Sequence, residues 1–178
     1  MDDQVLVEEA KGGCRASFAA LIERYYDRIY RLAWRVSGSR ATAEDIAQDV
    51  CVKLAVAIRS FRGEAAFSTW VWRITFTTAS DWQRAAQRMT AIEPSRVVAL
   101  MDAGRGHAPS PEDEAIGAEL WAAVRALPDQ QREAVLLVYG DGLSHAEAAS
   151  IMGCAEKTVS WHLHEAKKRL KIQLQSAV

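Results

Sequence analysis

Cysteine is scarce: Cys14, Cys51 and Cys154 are the only three, odd in number and far apart. No C-x-x-C pair occurs, which excludes a disulfide framework and a cysteine-rich zinc site. No apolar run reaches the length of about 18 that a transmembrane helix needs. The start, Met1-Asp2-Asp3-Gln4, is acidic and lacks the basic and apolar segments of a signal peptide. Charge of one sign is not in excess: 22 Lys and Arg face 23 Asp and Glu, a formal net charge of −1. That balance argues against a general nucleic-acid coat protein. Catalytic signatures are missing as well, with no phosphate loop, no G-x-S-x-G elbow and no H-E-x-x-H pair. No enzyme activity, metal or cofactor is therefore expected. What remains is a reducing-compartment, cytoplasmic protein; its 49% hydrophobic content rules out a disordered chain.

The near-zero total hides local fields. Residues 1–52 carry a net −2, residues 53–88 a net +4, residues 89–142 a net −5 and residues 143–178 a net +2. Two basic segments thus alternate with two acidic ones.

Strand alternation is absent and helical periodicity is strong. Phe18, Leu21, Ile22, Tyr25, Ile29, Leu32, Ala33 and Val36 follow three- and four-residue steps and predict a helix over about 15–37. Gly12-Gly13 separates it from a short first helix, and Gly38 ends it. Thr42, with Asp45 three residues on, predicts the cap of the next helix, whose buried face is Ile46, Val50, Leu54 and Ile58. Phe61-Arg62-Gly63-Glu64 is a turn. Ser68 is the expected cap of a fourth helix running to about Met89, with Trp70, Val71, Ile74, Thr78 and Trp82 facing inward.

Periodicity fades over 90–110, where Pro94, Gly104, Gly106, Pro109 and Pro111 mark a flexible linker. Helices resume at Ser110-Pro111-Glu112, over about 111–126 and 129–139. The expected fold is all-α: two small helical domains, 1–89 and 111–178, joined by an acidic linker, 90–110.

Ser144-His145-Ala146-Glu147 is a capping box opening a short helix to Met152. Gly153-Cys154-Ala155 is a tight turn, and a longer helix follows from Glu156. This is helix-turn-helix spacing, which also fits an αα-hairpin inside a bundle. In the first case the second helix enters the major groove, with Lys157, Thr158, Ser160, Trp161 and His164 near base edges. Lys167, Lys168, Arg169 and Lys171 lie further along, at phosphate. His162 and His164, two apart, cannot share a metal on a helix and are expected to face solvent or DNA.

Trp70, Trp72, Trp82, Phe61, Phe67 and Phe76 fall within residues 61–82, interleaved with Arg62, Arg73, Arg84 and Arg88. Rings among cations suit single-stranded nucleic acid, whose bases stack while its backbone is neutralised. The competing reading is a plain core, which fits Trp70 and Trp82 better than Trp72, Phe76 and Phe67.

The runs AEDIAQDVCVKL (43–54), SFRGEAAFSTWVWRI (60–74) and SDWQRAAQR (80–88), followed by residues 127–170, resemble extracytoplasmic-function (ECF) sigma factors of bacterial RNA polymerase. The resemblance covers about 18–88 and 112–171, in the family's order. It implies a promoter-melting domain that binds core polymerase and reads the −10 element, and a helix-turn-helix domain that reads the −35 element. Glu44, Asp45, Gln48 and Asp49 would contact the coiled coil of the polymerase's largest subunit, although a solvated acidic face fits them equally. Phe61, Arg62, Phe67, Ser68, Trp72, Arg73, Phe76, Thr77, Arg84 and Arg88 would engage the −10 strand, with an unstacked base near 61–68. Lys157, Thr158, Ser160, Trp161, His164 and Lys168 would engage the −35 duplex. The family further implies a contact with the flap of the second-largest subunit, an anti-sigma partner that holds the chain inactive, and no membrane insertion. The acidic linker would lie in the RNA path; fully extended, its roughly 20 residues reach at most about 70 Å, or about 20 base pairs.

Two departures stand out. Thr77 replaces an asparagine common in relatives, and Ser160, Trp161 and Glu165 stand where basic residues are common. An atypical −35 preference follows, with Trp161 against a thymine methyl. The alternative function is a sigma-like decoy that binds an anti-sigma factor without promoter activity.

Overall fold

The structure is a computed structural model, which describes residues 2–92 and 117–176. The fourth helix runs to Ile92, into the start of the expected linker; the rest of that linker, 93–110, and the start of the helix expected at 111–126 lie outside the described residues. All regular elements among those described are helical. The chain divides into two compact units.

The first unit contains α1 (Asp3–Lys11), α2 (Arg15–Ser37), α3 (Arg40–Ala57) and α4 (Phe67–Ile92). Helix α2 packs against the other three, because its apolar stripe supplies Leu21, Tyr25, Ile29, Leu32, Ala33 and Val36 to the core. Phe18 and Ile22 of that stripe stay half-buried. From α3 come Ile46, Val50 and Leu54, fully enclosed, and Ile58 follows in a short 3-10 turn. Asp3 on α1 accepts hydrogen bonds from the Arg24 guanidinium and the Tyr25 hydroxyl. Burial, then that bond, pushes the Tyr25 phenol up to about 12.

Gly38 ends α2 at φ +73°, a left-handed conformation that glycine takes without steric cost, and its N–H closes on the Trp34 carbonyl at 2.7 Å. The chain is extended again at Ser39, so α3 starts earlier than the sequence suggests. Ser39 Oγ, not Thr42, is the cap: it accepts from the Thr42 backbone N–H at 3.3 Å, at the third helical position. Likewise α4 begins at Phe67, which puts Ser68 inside the first turn and not at its cap.

The second unit contains α5 (Ala118–Arg125), α6 (Asp129–Val135), α7 (His145–Met152) and α8 (Glu156–Ser176). Where a helix was expected to continue to 139, α6 widens after Val135 into a π-helical turn, Leu136–Gly140. There the Asp141 N–H reaches back five residues to the Leu136 carbonyl. Leu136 and Leu137 are buried, while Tyr139 is exposed beneath Lys167 Nζ, 5.3 Å from its ring centroid. The capping box of α7 is complete: Ser144 Oγ receives the Glu147 N–H, and the Glu147 carboxylate receives the Ser144 N–H. Those bonds hold the Glu147 carboxyl below its usual range. Gly153, at φ +66°, turns the chain into α8. Ala148, Ala149, Val159 and Leu163 are all buried, the small pair allowing α7 and α8 to approach closely.

Candidate nucleic-acid interface

A groove of about 350 Å³ runs between α3 and α4, lined by Lys53, Ala57, Trp70, Arg73, Ile74, Thr77 and Thr78. Residues 70, 73, 74 and 77 form one helical stripe, and 53 and 57 are one turn apart. Lys53 is fixed in it by the Thr78 hydroxyl at 3.1 Å and the Asp49 carboxylate at 3.3 Å. An aromatic cluster closes one end: Phe61 lies 5.7 Å from Phe67 and 4.9 Å from Trp70, and Phe67 meets Tyr25 edge-on at 5.4 Å. These rings pin the 61–66 loop to α4. The groove therefore presents cations, a half-buried indole and a threonine side by side, a surface that suits an extended strand with unstacked bases.

The sequence-predicted residues separate into two groups. Arg73 and Thr77 line the groove and are exposed, as are Arg62, Arg84 and Arg88; Phe61 and Ser68 are half-buried. Phe67, Trp72 and Phe76 are each only 7% exposed, and Trp72 and Phe76 stack on each other at 5.1 Å with an 11° interplanar angle. This corrects their expected role as surface stacking platforms. Helix α4 packs against both α2 and α3, so its buried arc is wide and takes 71, 72, 75, 76, 78 and 79. Trp82 is corrected in the other direction. Expected in the core, it is 38% exposed and donates from Nε1 to Asp49 at 3.3 Å. Trp70, also expected in the core, edges the groove.

On the outer face of α3, Asp45 and Gln48 are exposed and Glu44 and Asp49 half-buried. Asp49 is engaged by Lys53 and Trp82. The same stripe continues into Val52 and Val56, 63% and 77% exposed, which sequence reasoning missed. The signal was present: 50–58 is apolar at nearly every position, more than one buried face needs. A second groove, about 660 Å³, lies between α2 and α3 and is lined by Phe18, Ala19, Ile22, Tyr26 and Cys51, with Glu23 and Asp27 beside them. Burial pushes the Cys51 thiol up. Cys14 differs: the Ser17 hydroxyl at 3.2 Å holds its thiol below the usual range.

In the second unit Lys157, Trp161, His164 and Lys168 are exposed and form a single stripe along α8. Trp161 is 56% exposed, and Lys168 pairs with Glu165 at 3.1 Å. Thr158 is half-buried, its N–H bonded to the Ala155 carbonyl. Ser160 is exposed but tied to His145.

His162 does not face outward with His164; it is 6% exposed and its Nδ1 has no hydrogen-bond partner. Burial lowers its pKa, so the unfolded chain binds this proton more readily than the folded one. Stability from this group is full above the unfolded value of about 6.5. It falls as pH drops below that value and is wholly lost below the depressed folded value. We expect His162→Leu to flatten this acid limb of the second unit's unfolding curve, as read by urea titrations at a series of pH values.

Residues 21–89 match the family described as Sigma-70 region 2, and residues 117–170 match Sigma-70, region 4. The chain is 30% identical to the ECF RNA polymerase sigma-E factor of Haemophilus influenzae, over 98% of this chain and 96% of that protein. It is also 30% identical to the protein of the same name in Escherichia coli K12, over 100% and 97%. Among solved structures, CnrH in complex with the cytosolic domain of CnrY is similar with a TM-score of 0.69 and 21% identity, over 99% of both chains. The sigma factor RpoE of Bartonella quintana, in complex with the anti-sigma factor NepR, gives 0.65 and 23%, over 89% of this chain and 96% of that one. At those identities the two structures bear on fold alone.

Proposed function

Because the chain belongs to the extracytoplasmic-function sigma factor family, we propose that it binds core RNA polymerase and directs promoter-specific initiation in the cytoplasm. It is an initiation factor, not an enzyme. The first unit (1–89) docks on polymerase and opens the −10 element, the second (111–178) reads the −35 element, and 90–110 links them. The observation that carries this reading is the groove between α3 and α4.

In the melted promoter, a base leaves the stack at a cost of a few kcal/mol. Trp70 offers a ring face, Arg73 and Lys53 neutralise the neighbouring phosphates, and Thr77 offers a hydroxyl to a base edge. Aromatic stacking is worth about 1–3 kcal/mol per base, which offsets the extrusion. Phe67, Trp72 and Phe76 act from the core by holding this face rigid. Asp45, Gln48, Val52 and Val56 form the polymerase-facing stripe, with Glu44 beside it. On α8, Lys157, Trp161, His164 and Lys168 face the major groove. Neither basic segment is strong, so the free chain binds promoters poorly and relies on polymerase for the remaining affinity. One similar structure, that of a sigma factor, holds an anti-sigma factor, and a partner of that kind covering the first unit would hold this chain inactive.

The test is permanganate footprinting of holoenzymes carrying Arg73→Ala or Lys53→Ala. Each is expected to cut open complexes about tenfold while closed-complex binding changes little. Wild-type opening by both variants would remove the groove from the mechanism.

A further inference from the structure

Four side chains bridge α3 and α4 beside the groove. Asp49 and Lys53 are one turn apart on α3, and Thr78 and Trp82 are one turn apart on α4. Lys53 Nζ donates to the Thr78 hydroxyl at 3.1 Å, and Trp82 Nε1 donates to Asp49 Oδ2 at 3.3 Å. The same Oδ2 stands 3.3 Å from Lys53 Nζ. Thr78 is buried at 1% exposure, so one anchor of the lysine is rigid. The two charged side chains stay partly open to solvent, Lys53 at 46% and Asp49 at 36%. An ion pair that exposed adds little to stability. The packing of α3 rests instead on Ile46, Val50 and Leu54, which are fully enclosed. What the four contacts do fix is the position of Lys53.

A lysine ammonium rides on a flexible four-carbon stem and has three N–H donors. Thr78 takes one of them, and Asp49 attracts the group from its other side. Donor capacity remains for a further acceptor in the groove, which Lys53 lines. An ammonium already held in place loses less conformational freedom on meeting a phosphate than a free one does. Trp82 fixes the carboxylate in its turn. The negative charge of Asp49 opposes a phosphate, but between groups this open to solvent salt weakens that repulsion. We propose that Asp49 is a positioning residue of the −10 groove, holding Lys53 where a phosphate of the melted strand passes, and is not a polymerase contact. This rests on the reading of the groove given above. The polymerase-facing stripe of α3 is then Asp45, Gln48, Val52 and Val56 without Asp49, whose carboxylate is taken up on the α4 side.

The test compares full-chain holoenzymes of the wild type, Asp49→Ala, Asp49→Asn, Lys53→Ala and the double variant Asp49→Ala/Lys53→Ala. Each binds a labelled single strand carrying the −10 non-template sequence of a promoter that the chain fires, over a series of salt concentrations. Each chain is also titrated against core polymerase. Lys53→Ala should bind the strand about fivefold more weakly, with a log–log salt slope shallower by about 0.7, the signature of one lost phosphate contact on a single strand. Asp49→Ala should bind about threefold more weakly with the salt slope of the wild type, because the cation is still present but no longer held. Asparagine keeps a carbonyl oxygen for both donors, so Asp49→Asn should recover most of that loss. The double variant should bind no worse than Lys53→Ala alone, since Asp49 acts only through the lysine. A merely structural role would not produce that dependence. Affinity of Asp49→Ala for core polymerase should change by less than about twofold. Three results would each overturn the proposal: losses that multiply to about fifteenfold in the double variant, strand binding by Asp49→Ala as tight as wild type or tighter, or a loss of core affinity in its place. Wild-type strand binding by Lys53→Ala would overturn the groove reading itself, and the proposal with it.

Discussion

Trp72→Ala is expected to lower the stability of the first unit by about 3–5 kcal/mol, the usual cost of emptying a buried aromatic site. Trp72 is 7% exposed and stacks on Phe76, so alanine removes both the apolar area and the ring-on-ring contact. Measured against a total of about 5–15 kcal/mol for an ordinary domain, that is a large share. Chemical denaturation should show an early transition for Trp72→Ala and a smaller loss for Trp72→Phe, which keeps a flat ring. Arg73, the next residue, should behave in the opposite way. It is exposed, so Arg73→Ala should stay within about 0.5 kcal/mol of wild type while losing promoter opening. A Trp72→Ala protein with wild-type stability that failed to melt promoters would return Trp72 to the DNA-facing surface.

Val52→Glu combined with Val56→Glu is expected to weaken assembly with core polymerase about 100-fold or more. Both valines are open to solvent, and each carboxylate buried unpaired in an apolar contact costs at least about 1–3 kcal/mol, so two together reach about 100-fold. The folded unit should be almost unaffected, since surface changes rarely exceed about 0.5 kcal/mol. Asp45→Ala, at the more polar end of the same stripe, should cost less than about fivefold. Binding to labelled core polymerase by anisotropy separates these cases. Wild-type affinity for the double variant would move the docking surface elsewhere.

The helices were legible because their periodicity is strong and their ends carry specific chemistry. The stripe of α2, Gly38, the Ser144–Glu147 box and the Gly153 turn are all visible in the sequence. The starts of α3 and α4 were misplaced by a few residues: Ser39 and Thr42 could both cap α3 and only backbone direction selects Ser39, while α4 starts directly after Ala66, with Ser68 already inside its first turn. The mixture of rings and cations along α4 was legible too, but its sorting into inside and outside was not. Positions 72 and 73 differ by about 100° around the axis, and which is buried depends on how many neighbours wrap α4. The exposure of Val52 and Val56 went unread for a related reason: an apolar residue beside a buried stripe looks like more core. The separation of His162 from His164 is another such case, since only the packing of α8 distinguishes an inward from an outward histidine.

The most direct measurement is transcription in vitro from a library of promoters of the source genome, using core polymerase with and without the chain, read together with permanganate reactivity at −10 thymines. The account predicts that a defined subset of promoters fires only when the chain is present, with −10 thymines reactive in wild type and protected in Arg73→Ala. If no promoter responds to the chain while an unrelated sigma factor is active in the same assay, the account is contradicted.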